Sequence, residues 1–238
     1  MHQVVTGTAG LADEYSRVLG IPREKVRVVP NDLDPAAFAA PSAAAAPAPA
    51  PVVLYVGRLS RPKGAHLLPS IFAGIHREAP DATFVVAGGG PEEEDVRRRL
   101  EDALPGDRVR MLGYVPNREV AALMRCADVL VMPSLEEGFP RRVLEAMACG
   151  VPFVTADVGG TREVVAPGAA ELLHAPGDAE AAAASALRLL ADPDLRSRLA
   201  DEGHRHVEKF SVQGVAPLFF RTMVPAEGHP AAGGSIPA

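Results

Sequence analysis

The chain has 238 residues, with 24 Lys plus Arg against 30 Asp plus Glu, a formal charge of −6. That length suits one large domain, or one domain with appendages, and the acidic balance argues against a general nucleic-acid binder. Hydrophobic residues make up 47% of the chain, enough for a real core, yet no apolar run approaches the roughly 20 residues of a membrane span and the Met1-His2-Gln3 start lacks the regions of a signal peptide, so a soluble cytoplasmic protein is expected.

Residues 1–38 read as a strand fragment at Val4-Val5, a helix, and a strand at Val26-Arg27-Val28-Val29. Thr8 fits the helix cap, and Gly20 with Pro22 beyond it fits the stop. Residues 39–51 are thirteen Ala, Pro and Ser residues with nothing to bury, an expected extended linker. From Val52 short apolar runs alternate with helical segments: strands at 52–56, 83–87, 108–111, 128–132, 152–155 and 171–173, helices near 64–78, 91–104, 117–125 and 140–149. That alternation calls for βαβ units and a Rossmann-like parallel sheet with helices on both faces, an α/β fold. After Gly177-Asp178 the chain reads as mostly helical to about 223, with Pro193 starting a fresh helix, and residues 224–238 read as a disordered tail. Cys126 and Cys149 fall in helix-like segments without metal-ligand spacing and read as small core residues of a reducing compartment.

The chemistry concentrates at strand ends. Glu137 lies in the loop after the run Asp128-Val129-Leu130-Val131-Met132, and Glu145 is expected about two turns into the next helix, with Pro140 at its first position. Ligands of open parallel sheets bind beyond those strand ends, and acceptor-only carboxylates there suit the hydroxyls of ribose or a sugar. Arg58 follows the strand at 52–56 directly, and Lys63 precedes the next helix at Gly64. A diphosphate would meet there a guanidinium fork, an ammonium and the free N–H groups of a helix start. Gly88-Gly89-Gly90-Pro91 makes a turn where backbone can approach a ligand closely, but no Gly-x-Gly-x-x-Gly run exists, which counts against a dinucleotide site.

The stretch Glu137-Gly138-Phe139-Pro140-Arg141-Arg142-Val143-Leu144-Glu145 resembles the Glu-x7-Glu motif of retaining glycosyltransferases of two-Rossmann (GT-B) architecture, family 4. Val56-Gly57-Arg58-Leu59-Ser60-Arg61-Pro62-Lys63-Gly64, Val86-Ala87-Gly88-Gly89-Gly90-Pro91, Leu112-Gly113-Tyr114-Val115, Val158-Gly159-Gly160-Thr161 and Phe210-Ser211 agree with that family in order. The resemblance implies that Arg58 and Lys63 neutralise the diphosphate of a nucleotide-sugar donor and stabilise it as leaving group, acting with Glu137 as the catalytic residues. It places Glu145 on the ribose and Glu137 on the transferred sugar, with Gly88, Gly89, Gly138 and Phe139 lining the donor site. Backbone at Tyr114 and Val115 would meet the base, although a tyrosine there equally well packs its ring on the sheet. No metal and no separate cofactor is implied, and the acceptor would be a carbohydrate or a lipid-linked hydroxyl.

Only the carboxyl-terminal, donor-binding half of a GT-B fold is matched: 1–38 reads as a remnant of the acceptor domain with its hinge, and 52–223 as the nucleotide-sugar-binding domain. The implied activity is hexose transfer with retention. The alternatives are a non-catalytic nucleotide-sugar-binding subunit that needs a separate acceptor-domain partner, or a GT-B-like sugar-nucleotide epimerase. Two departures from the family stand out. Arg141 and Arg142 occupy positions where small or apolar residues are common; one of them is expected to help bind an anionic donor such as a uronic acid sugar nucleotide, unless both form a surface pair screened by Glu136. Asp32 stands where relatives commonly have Gly, in a tight turn that suits positive φ and that Asp tolerates less well, so a changed hinge geometry is expected.

Overall fold

The computed structural model describes residues 3–39 and 50–223. The linker and tail expectations at 40–49 and 224–238 lie outside the described residues. The first unit is a small βαβ: β1 (Val4–Thr6), α1 (Ala9–Leu19) and β2 (Val26–Val28), its two strands parallel, followed by the short α2 (Pro35–Ala39). Thr8 caps α1 by accepting from the Leu11 N–H, and Gly20 ends it in the left-handed region at φ 67°, as its sequence position predicts.

The larger unit alternates β3 (Val52–Val56), α3 (Leu68–Glu78), β4 (Thr83–Ala87), α4 (Glu93–Ala103), β5 (Val109–Gly113), α5 (Asn117–Arg125), β6 (Val129–Met132), α6 (Arg141–Cys149) and β7 (Phe153–Thr155). The five strands are all parallel, in the order β5-β4-β3-β6-β7. Every β6 residue is buried, as a strand covered on both faces requires. α3 turns Leu68, Ile71, Phe72 and Ile75 inward at helical spacing, and Phe72 stacks on Phe84 of β4 with centroids 4.7 Å apart. Beyond β7 come α7 (Thr161–Val164), α8 (Ala179–Ala191), α9 (Pro193–Val207) and α10 (Val212–Met223). Gly74 lets α3 approach Ala183 of α8, and Gly203 lets α9 approach Met147 of α6.

Several expectations are corrected. Residues 171–173 are not a strand: Pro167–Leu172 is a 3-10 turn, and only His174 bridges to Ala156. Its short apolar pair is buried through Leu172 without a ladder, a distinction too local for periodicity to make. α3 begins at Leu68 rather than Gly64, because residues 61–67 form two 3-10 turns. Pro140 sits at the cap of α6, with ψ 73°, and Glu145 is the helix's fifth residue, little more than one turn in. Cys126 is exposed rather than in the core, since it caps the solvent side of α5. Asp32 takes ordinary backbone, because no non-glycine residue among those described has positive φ.

The first unit is tied to the second at several places, among them the Arg125 guanidinium, which donates to the Phe38 carbonyl of α2 at 2.8 Å. The Glu163 carboxylate accepts from the Ala9 and Gly10 N–H groups at 2.7 and 2.8 Å. The Thr8 hydroxyl donates to the Gly138 carbonyl at 3.1 Å, and the Leu33 N–H donates to the Phe210 carbonyl at 2.9 Å.

Candidate functional site

The chain runs outward from β3 to β4 and β5, then returns to the other side of β3 with β6 and β7. The order therefore reverses between β3 and β6, the switch point beside which open parallel sheets bind ligands. The loops leaving that pair are stitched together. Leu135 and Glu136 both donate backbone N–H groups to the Pro62 carbonyl, at 2.8 and 3.1 Å. Gly64, at φ 66°, presses against Pro133 so closely that a Cβ there would lie 1.8 Å from the Pro133 oxygen.

The clamp carries charge into one place. Lys63 Nζ stands 2.7 Å from Glu137 Oε1, and the Ser134 hydroxyl donates to the same oxygen at 2.8 Å. The Glu137 side chain is only 6% exposed while Lys63 is 35% exposed, so the carboxylate is held from below and the ammonium still faces water. Glu136 is exposed, as its surface reading requires. Arg58 is also exposed and makes no ion pair among the described residues. Its carbonyl accepts from the fully buried Tyr55 hydroxyl at 2.8 Å, which fixes the loop's backbone beneath the side chain. Burial, then the Glu137 and Glu92 charges, pushes the Tyr55 phenol well up, so it stays a neutral donor.

Glu145 is 5% exposed, set among buried Val143, Leu144, Ala146 and Met147. Arg142, three residues earlier on the same helix face, pairs with its Oε2. The second arm of that guanidinium donates to the Asn117 Oδ1 of α5 at 3.1 Å. Arg142 is therefore engaged with the protein's own carboxylate rather than held out for an acidic sugar, and Arg141 is exposed.

The remaining strand ends complete the rim. Gly57 and Leu59 donate to the Ala87 and Gly89 carbonyls at 3.0 and 2.9 Å, and Gly88 donates to Gly113 at 2.7 Å. Gly88, at φ 146°, lies so near β3's loop that a Cβ would stand 1.8 Å from the Gly57 oxygen. Tyr114 is 82% exposed, so its ring does not pack on the sheet, and Val115 is half-buried. On the other side, Gly138 and Phe139 are half-buried, and the loop after β7 lays its Gly159 backbone against the Glu137 carbonyl. Among the described residues no three His, Cys, Asp or Glu side chains gather as a metal site. Lys63 and Glu137 are thus joined directly, while Arg58 in the loop after β3 and Glu145 in α6 make no hydrogen bond or ion pair with them among the described residues. Tyr55, Ser134, Asn117 and the Arg142–Glu145 pair escaped the sequence reading. Only the Arg142–Glu145 spacing of three carried a signal.

A five-stranded parallel sheet with a charged pair joining the loops at its switch point defines an α/β protein of Rossmann-like, GT-B type. The chain belongs to the glycosyl transferases group 1 family, whose model matches residues 40–206. It is 33% identical over 199 residues to 2-deoxystreptamine glucosyltransferase of Streptomyces kanamyceticus, covering 80% of this chain and 51% of that protein. It is 32% identical over 198 residues to glycogen synthase of Mycobacterium tuberculosis, covering 83% and 47%. The structure of sucrose-phosphate synthase from Thermosynechococcus elongatus superposes with a TM-score of 0.80 at 30% identity, over 92% of this chain and 57% of that one. The Anabaena HepE structure in complex with UDP-glucose has the same fold, with a TM-score of 0.82 at 22% identity over 93% and 63%. The chain spans about half the length of the curated relatives it matches.

Proposed function

We propose that this chain is the donor-binding half of a retaining glycosyltransferase of family 4, which moves a hexose from a nucleoside diphosphate sugar to an acceptor hydroxyl. The observation that carries this reading is the Lys63–Glu137 pair, clamped at the switch point beside an exposed Arg58. An ammonium has three N–H donors, so Lys63 can hold Glu137 and still offer donors to a phosphate oxygen. Charge develops on the diphosphate as its bond to the sugar breaks, and cations already fixed there lower that barrier without reorganising. Glu137 accepts from sugar hydroxyls, Glu145 accepts from the ribose, and the backbone near Tyr114 and Val115 meets the base. Relatives crystallised with UDP and UDP-glucose support a nucleotide-sugar ligand.

A second reading, a binding subunit completed by a separate acceptor-domain partner, is favoured by the first unit. Its sheet has only two strands among the described residues, and Val5, Val18 and Leu19 are exposed at 42%, 59% and 61%. Native co-purification separates the two readings, since only the second needs a distinct bound protein. The test common to both is a thermal-shift screen of the purified chain with UDP, GDP, ADP and their sugars. A ligand at a hundredfold its Kd adds about 2.7 kcal/mol to folding. No stabilisation by any of them, or equal stabilisation of Arg58→Ala, refutes the site. The chain alone is expected to bind donor and to transfer little or nothing; vigorous transfer by a purified monomer refutes the half-site assignment.

A further inference from the structure

A carboxylate 5% exposed within an apolar helix face is tolerable only with a counter-charge and satisfied lone pairs. In α6 that partner is Arg142, and the way it is held matters more than its charge. One arm grips Glu145 Oε2 and the other grips Asn117 Oδ1, so the planar fork is fixed at two points on two different helices. The terminal torsion of a glutamate is otherwise broad and nearly two-fold. Fixing Oε2 orients the whole carboxylate. Oε1 accepts no hydrogen bond from the described residues and is not sealed off as an orphan buried atom. Asn117 opens α5 directly after Tyr114, Val115 and Pro116, so the same guanidinium joins the carboxylate to the rim loop at the end of β5.

We infer that Arg142 is a positioning residue for ribose selection: it holds Glu145 with one oxygen presented to the ribose diol and locks that oxygen to the β5 rim. This rests on the reading of Glu145 as the ribose contact. Two properties follow. The site should distinguish a ribonucleoside diphosphate from its analogue lacking both ribose hydroxyls, and that distinction should depend on Arg142 although Arg142 itself does not touch the ligand. Lysine should replace it poorly, because a point donor supplies the charge but cannot bridge Glu145 and Asn117 together.

The test is calorimetric titration of the whole chain with the tightest binder among UDP, GDP and ADP, and with its 2′,3′-dideoxy analogue. Hydroxyl bonds to a charged acceptor make the diol worth about 10- to 100-fold in affinity for the wild type. In Arg142→Ala that ratio should collapse towards one, mostly through weaker binding of the natural nucleotide, while the dideoxy analogue changes by less than about threefold, the scatter expected when no direct contact is lost. Arg142→Lys should recover only part of the ratio, and Asn117→Ala, which leaves the ion pair intact, should reduce it without abolishing it. An undiminished ratio in Arg142→Ala overturns the inference, and so does an equal loss for both ligands. If Arg142→Ala does not fold, Asn117→Ala and Arg142→Lys decide: full wild-type ratios in both overturn it. Failure of the wild type to bind any of the three nucleotides instead removes the donor-site reading beneath it.

Discussion

Removing the Lys63 ammonium should destabilise the fold and weaken donor binding by separable routes. Lys63→Ala leaves Glu137, whose side chain is 6% exposed, with only the Ser134 hydroxyl on its charged oxygen. Breaking a fully buried pair costs about 3–5 kcal/mol. Lys63 is one-third exposed, so water replaces part of its field and the expected loss falls to about 1–2 kcal/mol. For a chain of this size that is roughly 2–8 °C in the thermal midpoint. Glu137→Gln removes the charge while keeping an acceptor for Ser134. The double variant should therefore be less destabilised than the sum of the two by about 1 kcal/mol, read from denaturant melts of all four proteins. Nucleotide titration gives the second route: Lys63→Ala weakens a bare nucleoside diphosphate, whereas Glu137→Gln weakens only the sugar-bearing form. Strictly additive stability losses would refute the pair in solution, and an unaltered diphosphate affinity in Lys63→Ala would refute its role.

Gly64→Ala places a methyl group 1.8 Å from the Pro133 oxygen in a left-handed conformation, so the loops after β3 and β6 must separate. A loss of about 2 kcal/mol or more together with donor binding is expected, measured by melting and by nucleotide thermal shift. Burial pushes His174 below its ordinary value of 6.5, against the opposing pull of the Ala175 carbonyl and Asp178, and burial lowers His66 and His206 likewise. The unfolded chain then binds more protons below that value, so the stability of the neutral fold is full above pH 6.5 and is lost as pH falls towards the folded pKa. The midpoint should drop between about pH 7.5 and about pH 5.5, and His174→Gln should flatten that drop; an unchanged slope contradicts the assignment. Burial pushes the Cys149 thiol up to about 11, while Cys126 is exposed, so native thiol titration should modify Cys126 quickly and Cys149 slowly. Equal rates would contradict that placement.

The sheet was legible because its strands are apolar runs bounded by glycine and proline, as in Val52–Val56 before Gly57 and Thr83–Ala87 before Gly88. α2 went unseen because five residues beside an Ala/Pro tract carry no period, and 171–173 was misread because two adjacent leucines fit a strand or a turn equally well. The strand-loop-helix pattern was enough to put Arg58 and Lys63 in the loop after β3, Glu137 in the loop after β6 and Glu145 within α6. What holds them was not legible. Ser134 beneath Glu137 depends on how a loop folds back, and Asn117 meets Arg142 across 25 residues only because two helices settle side by side. Spacing along one helix can propose a partner; a tertiary contact between helices has no local signature.

The fastening of the first unit has a mechanical consequence. Two α1 amides and one carboxylate meet at an exposed joint, and each group finds water as readily as it finds the other when they part. A hydrogen bond to a charged acceptor contributes about 1.5–3 kcal/mol, and exposure to water lowers that here. The α1 end of the first unit can therefore yield locally, whereas Leu33, sunk in the larger unit's core, and the Phe38 carbonyl held by Arg125 anchor the chain behind it.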